Sequence, residues 1–175
     1  METNWKIDNM HSEIGFKVRH MMISNVSGNF TSFDATLNAE NDHFERPEFH
    51  FTADINSIST GVADRDGHLK SPEFFDAGSF PTLEFNSTNV EQREGNWVIN
   101  GEMTIKGTSH PVTLNADFAG VAVDPYGQTK TGLSVSGKIK RSDFGLTWSA
   151  VTEAGNIVVG DEITLSAEVQ FVKQA

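Results

Sequence analysis

The chain contains no cysteine, so a disulfide framework, a thiolate metal site and a cysteine nucleophile are all excluded, and the redox compartment is left open. It is also poor in aromatic residues with a polar tip. One Tyr and three Trp stand beside thirteen Phe. A buried Tyr or Trp needs a partner for its polar atom and Phe does not, so this bias suits a dry interior. No apolar run approaches the roughly 20 residues of a membrane helix. The start, Met1 to Lys6, lacks the basic and apolar segments of a secretory signal, which predicts a cytoplasmic chain as written; a trimmed mature form of a periplasmic protein would read the same. Positive charge is scarce too. Thirteen Lys and Arg against 24 Asp and Glu leave a formal charge of -11, which repels nucleic-acid phosphates at long range and argues against nucleic acid as a partner.

What is present is alternation. At 175 residues the chain fits a single domain spanning 1–175, able to bury roughly two thirds of its unfolded surface. Ile14, Phe16 and Val18 alternate with Gly15, Lys17 and Arg19, and Val26, Gly28 and Phe30 slip by one residue into Phe33, Ala35 and Leu37, the mark of a bulge. The stretch 38–47 is polar and reads as a loop. Phe49, Phe51, Ala53 and Ile55 make a third strand, Leu83, Phe85 and Ser87 a fourth, and Trp97, Ile99, Gly101, Met103 and Ile105 a fifth. Turns are expected at 91–96, at 106–111 and at 124–127. Val112, Leu114, Ala116 and Phe118 are the apolar face of a sixth strand, Leu133, Val135, Gly137 and Ile139 of a seventh, and Ile163, Leu165, Ala167, Val169 and Phe171 of an eighth. Between the last two runs a long connection, 141–160. Eight such strands fit an all-β, antiparallel sheet with one dry face, and closure into a barrel removes its edges. Gly28, Gly101 and Gly137 fall on the apolar phase, where they let the sheet bend or leave room inside.

One stretch breaks the pattern. Asp64 and Asp66 supply acidic residues for a helix start, and Ser71, Pro72 and Glu73 repeat the signal with a hydroxyl, a proline and an acid. Two short helical turns in series are predicted between strands three and four. They carry Arg65, His68 and Lys70 beside Phe74 and Phe75, a composition suited to the lid of an apolar cavity.

The order of these segments resembles a known family. Trp5-x-Ile7-Asp8-x-x-His11-Ser12-x-Ile14-x-Phe16-x-Val18-x-His20 is similar to the first strand of the YceI-like polyisoprenoid-binding proteins, and Gly28-x-Phe30-x-x-Phe33 to the second. Arg65-Asp66-x-His68-Leu69-x-Ser71-x-x-Phe74-Phe75-Asp76 resembles their central signature. Pro81-x-Leu83-x-Phe85, Gly101-x-Met103-Thr104-Ile105-x-Gly107, Arg141-Ser142-Asp143-Phe144-Gly145-Leu146 and Val159-Gly160-Asp161-Glu162-Ile163 follow in order. The resemblance implies a lipocalin-like, eight-stranded antiparallel barrel that binds, stores or transports a long isoprenoid lipid, either a polyprenyl phosphate or an isoprenoid quinone, and often dimerises. Two departures stand out: many members carry a secretory signal, and Met103 replaces a common leucine.

Pattern alone favours a packed barrel, since most apolar stripes are core; the resemblance favours a ligand. The expected lumen consists of Ile14, Phe16, Val18, Phe30, Phe49, Phe51, Ile55, Phe85, Met103, Ile105, Leu114, Phe118, Leu133, Val135, Leu165 and Val169, with Phe74 and Phe75 closing the mouth. Candidate head-group contacts are Arg65, His68 and Lys70 in one cluster and His20, beside Arg19, in another. The alternative for Arg65 is an ion pair with Asp64 or Asp66 that pins the helix. Lys138, Lys140 and Arg141 offer a further basic patch, although both lysines fall on the wet phase. The histidines His11, His20, His43, His50, His68 and His110 show no metal-ligand spacing, so neither a metal nor a cofactor is expected beyond the bound isoprenoid. A Gly-x-Ser-x-Gly elbow and a phosphate-cradling glycine loop are both missing, which argues against an enzyme. The competing readings are a lipid-modifying enzyme on the same substrate, and a packed barrel acting through protein partners.

Overall fold

Alternation in sequence becomes alternation in burial. Along Asn96–Ile105 the residues Trp97, Ile99, Gly101, Met103 and Ile105 are buried and those between them face outward. The computed structural model describes residues 2–20, 23–147 and 159–175. Its strands are β1 (Thr3–Ile7), β2 (Glu13–His20), β3 (Ser24–Phe30), β4 (Phe33–Ala39), β5 (Glu48–Asp54), β6 (Ile58–Ser59), β7 (Thr82–Arg93), β8 (Asn96–Ile105), β9 (Thr108–Val123), β10 (Thr129–Lys140) and β11 (Val159–Lys173), with one helix, α1 (Ala63–Lys70).

These eleven segments form eight barrel strands, because the first three are each interrupted. β1 and β2 lie end to end along β11, which pairs with β2 at Val159 and from Ile163 to Glu168, and with β1 from Phe171 to Lys173. The Ser12 hydroxyl accepts from Gln170 N at 3.0 Å across the break. β3 and β4 likewise pair with β2 and β1, and β6 and β5 with β3 and β4. All pairings are antiparallel, and the β1–β11 ladder closes the circuit. The interruption between Phe30 and Phe33 falls where the apolar register slips.

One end of the barrel is plugged. Trp97 stacks on Phe118 with centroids 4.7 Å apart, Phe44 meets Trp5, Trp97 and Phe118 at 5.1 to 5.7 Å, and Phe49 lies edge-on to Trp97 and Phe171. Phe44 corrects the reading of 38–47 as a polar loop. It is a buried side chain on a left-handed backbone (φ 56°), and Gln92 Nε2 holds its carbonyl at 2.8 Å.

The opposite end is split. Beyond Asp54 the third strand leaves β7 and follows β3 as β6, while α1 and residues 71–81 lie between β6 and β7. Ile55 N donates to the Pro81 carbonyl at 2.8 Å, and Lys106 Nζ donates to the Pro72 carbonyl at 3.1 Å.

Local chemistry explains the remaining differences from expectation. Only the first of the two helical turns forms. The Ser71 hydroxyl, expected to start a second helix, donates back to the His68 carbonyl at 2.6 Å and ends α1 instead. Asp64 and Asp66 lie in the first turn of α1 as expected, but neither caps it; the cap position is Val62, and Asp66 accepts from Thr60. The turns at 91–96 and 106–111 shrink to the pairs Glu94-Gly95 and Lys106-Gly107. Both residues of each pair have positive φ, the hairpin geometry that matches strand twist. Pro111 then sits within β9, beyond the last β9–β10 pair, where that strand has a neighbour on one side only. In the connection 141–160, Arg141–Phe144 forms a 3-10 turn, and 148–158 lies outside the described residues.

Candidate functional site

The barrel encloses two chambers in series. The inner, about 150 Å³, lies above the aromatic plug and is bounded by β1 to β5 and β7 to β11. Apart from His50 and Ser166 every residue lining it is apolar or glycine. The outer, about 280 Å³, lies beneath α1 and the 71–81 segment. Phe16, Phe30, Leu83, Ile139 and Leu165 line both, so this belt is the junction between them.

Most of the expected lumen residues lie on these walls. Ile14, Phe49, Phe51, Phe85, Met103, Leu114, Leu133, Val135 and Val169 line the inner chamber, and Val18, Ile105, Phe74 and Phe75 the outer, with Phe16, Phe30 and Leu165 on both. Ile55 and Phe118 line neither. Ile55 belongs to the 3-10 turn Ile55–Ser57, where the strand phase no longer applies, and Phe118 is used in the plug.

The two separate clusters of expected head-group residues meet. His20 from β2 and Arg65 and His68 from α1 line the same outer chamber, joined by Arg19 and Arg141. Lys70 does not. Helical geometry puts residues three and four apart on one face, so Arg65, His68 and Leu69 point one way and Lys70, five residues on, points off it. Arg65 makes no pair with Asp64 or Asp66. Its Nε donates to Thr60 Oγ1 at 2.7 Å and its Nη2 to the Thr60 carbonyl at 2.8 Å, while Thr60 donates its N–H and hydroxyl to Asp66 at 2.8 and 2.6 Å. Thr60 is thus the anchor that orients the guanidinium. His68 bonds to Glu73 and lies edge-on to the Phe74 ring.

Arg141 parts from the lysines grouped with it. The lysines are exposed as their phase predicts, whereas Arg141, in phase with Ile139, is buried, with Nε, Nη1 and Nη2 donating to the carbonyls of Gly160, Leu146 and Val159 at 2.9, 2.7 and 3.2 Å. Burial lowers its pKa, and the Asp161 charge opposes that shift. Among the described residues lining the outer chamber there is no carboxylate, although the chain carries 24. No three His, Asp or Glu side chains among the described residues are arranged to hold a metal ion.

Asp161 ties β11 to the 3-10 turn, accepting from Ser142 N at 2.9 Å and Ser142 Oγ at 2.8 Å. Burial alone raises its pKa, but these bonds, with the charges of Arg141 and Lys140, outweigh burial and hold the carboxyl below its ordinary value. A depressed folded-state pKa contributes stability that is complete above the unfolded pKa and is lost as pH falls through the folded one. Asp161→Asn is therefore expected to flatten the decline of unfolding free energy below about pH 4. Urea titrations across that range check it, and acid limbs of equal slope would contradict it.

Comparison with known proteins agrees with this architecture. Residues 5–171 match the YceI-like domain. A UPF0312 protein of Staphylococcus epidermidis is 34% identical over 97% of both chains. Among solved structures, the YCEI protein of Campylobacter jejuni superposes with a TM-score of 0.75 at 32% identity over 90% of each chain. A polyisoprenoid binding domain from Saccharophagus degradans shares the fold at 13% identity, with a TM-score of 0.68 over 97% of this chain and 98% of its own. With a match spanning nearly its whole length and a relative identical at a third of positions, the chain belongs to the YceI-like family.

Proposed function

We propose that this protein binds a long isoprenoid lipid with a phosphorylated head group, the chain in the inner chamber and the head in the outer, and so serves as a carrier or store rather than a catalyst. The observation that carries this reading is the contrast between the chambers. The inner wall is apolar but for His50 and Ser166, and among the described residues the outer is lined by three arginines and two histidines without a carboxylate.

Burying an isoprene unit contributes on the order of 3 kcal/mol before the costs of association, so the chain supplies affinity without polar contacts. Arg65 supplies discrimination. Its partner Thr60 carries no charge, so the guanidinium stays available to an anion, and a planar fork suits phosphate oxygens. An isoprenoid quinone would place its tail in the same inner chamber, but its uncharged ring makes no use of the arginines. The polyisoprenoid binding domain of the same fold supports a chain of this class.

The test is a titration of farnesyl phosphate and of farnesol into the wild type and into Arg65→Gln. The wild type is expected to prefer the phosphate by about tenfold or more, roughly 1.4 kcal/mol, and the variant to lose most of that preference. Equal affinity of the wild type for phosphate and alcohol would sink the phosphate assignment.

A further inference from the structure

Phe16 occupies the junction of the two chambers, and its position depends on the residue it faces. In the β2–β3 ladder Phe16 pairs with Gly28. A Cβ at Gly28 would lie 2.4 Å from Phe16 Cζ, 2.9 Å from Phe16 Cε1 and 2.9 Å from the Thr60 methyl. The ring therefore lies flat on the glycine, pressed against the barrel wall. Gly28 has ordinary strand backbone rather than a left-handed φ, so contact with the ring, and not backbone freedom, is what requires glycine here. Two more wall glycines work the same way inside. Phe85 lies over Gly101 and Leu114 over Gly137, with would-be Cβ contacts of 2.6 Å to each side chain, and at Gly101 the Asn86 carbonyl lies closer still at 2.4 Å. Phe85 and Leu114 line the inner chamber only, whereas Phe16 lines both.

Relying on the reading of the lumen as an isoprenoid site, we propose that Phe16, seated on Gly28, sets the length of chain the protein accepts. With the ring against the wall, a long chain threads from the outer chamber into the inner. A methyl group at position 28 forces the ring off the wall. The Thr60 methyl, 2.9 Å from the same added methyl and held in place by Arg65 and Asp66, fills the neighbouring space, so the ring turns into the junction and leaves only the outer chamber for ligand. Chain-length selection and head-group orientation thus share Thr60 as a common support.

The experiment measures affinity for geranyl, farnesyl, geranylgeranyl and octaprenyl phosphates in the wild type, Gly28→Ala and Gly28→Ala with Phe16→Ala. In the wild type affinity is expected to rise along the series. In Gly28→Ala the geranyl compound binds within about threefold of wild type and the octaprenyl compound at least about tenfold more weakly. Removing the ring in Gly28→Ala/Phe16→Ala restores binding of the long chain. Phe16→Trp, which enlarges the side chain at the junction and leaves position 28 and Thr60 unchanged, carries the same expectation should Gly28→Ala fail to fold. An unchanged length dependence in folded Gly28→Ala or folded Phe16→Trp overturns the gauge while leaving the isoprenoid site intact. A wild type that binds none of the four overturns the isoprenoid reading itself, and the gauge with it.

Discussion

Phe51→Arg is expected to abolish retention of a prenyl chain, lowering affinity by about a hundredfold or more, close to 2.7 kcal/mol. Phe51 lines the inner chamber from β5, pairing with Phe85 on β7. An arginine at that position fills part of the chamber and puts a guanidinium among walls that, over the described residues, are apolar but for His50 and Ser166 and offer it no carboxylate. A buried unpaired charge costs several kcal/mol, so the head will reach for water and drag its stem across the space the chain needs. The loss amounts to less than the burial of one isoprene unit, on the order of 3 kcal/mol. Circular dichroism must show the variant folded. Phe51 is half-buried, while Phe85 is 4% exposed and rests on Gly101, so Phe51→Arg is the better-tolerated of the two. A folded Phe51→Arg protein that still carries lipid would place the ligand outside the lumen.

Trp97→Ala is expected to lower unfolding free energy by about 4 kcal/mol, the upper range for truncating a buried aromatic residue. Trp97 is 3% exposed, stacks on Phe118 and touches Phe44 and Phe49, so removing the indole opens a void where β1, β5, β8, β9 and β11 and the 38–47 segment meet. For a domain of this size that corresponds to a fall of roughly 10 °C in the unfolding midpoint. Denaturant curves should shift in midpoint with little change in slope. A loss under about 1 kcal/mol would mean that the plug relaxes around the void and is not what closes this end.

The sequence announces the barrel clearly because most strands keep a period of two, and burial follows that period most cleanly along β8. The belt and most of the chamber walls were legible for the same reason. What periodicity cannot show is a single residue whose partners are distant in the chain. Phe44 stands alone in a polar run and enters the core only because an unusual backbone turns it inward. Arg141 shares the inward phase of Ile139, but nothing in the sequence shows the carbonyls of Leu146, Val159 and Gly160 that hold it. The helical stretch was half legible. Its start and composition mark a lid, but a serine hydroxyl can cap the helix behind it as well as start one ahead, and Ser71 does the former. The glycines on the apolar phase were visible as an oddity, and only the coordinates of Phe16, Phe85 and Leu114 reveal which side chains they seat.

The central claim is that the chambers hold an isoprenoid, and the most direct measurement is mass spectrometry of an organic extract of protein purified without detergent, with a native spectrum of the same sample. The account predicts a stoichiometric prenyl lipid whose head group carries phosphate. An empty spectrum from folded protein that also refuses added polyprenyl phosphate would contradict it, and would move the function to a packed barrel acting through a protein partner.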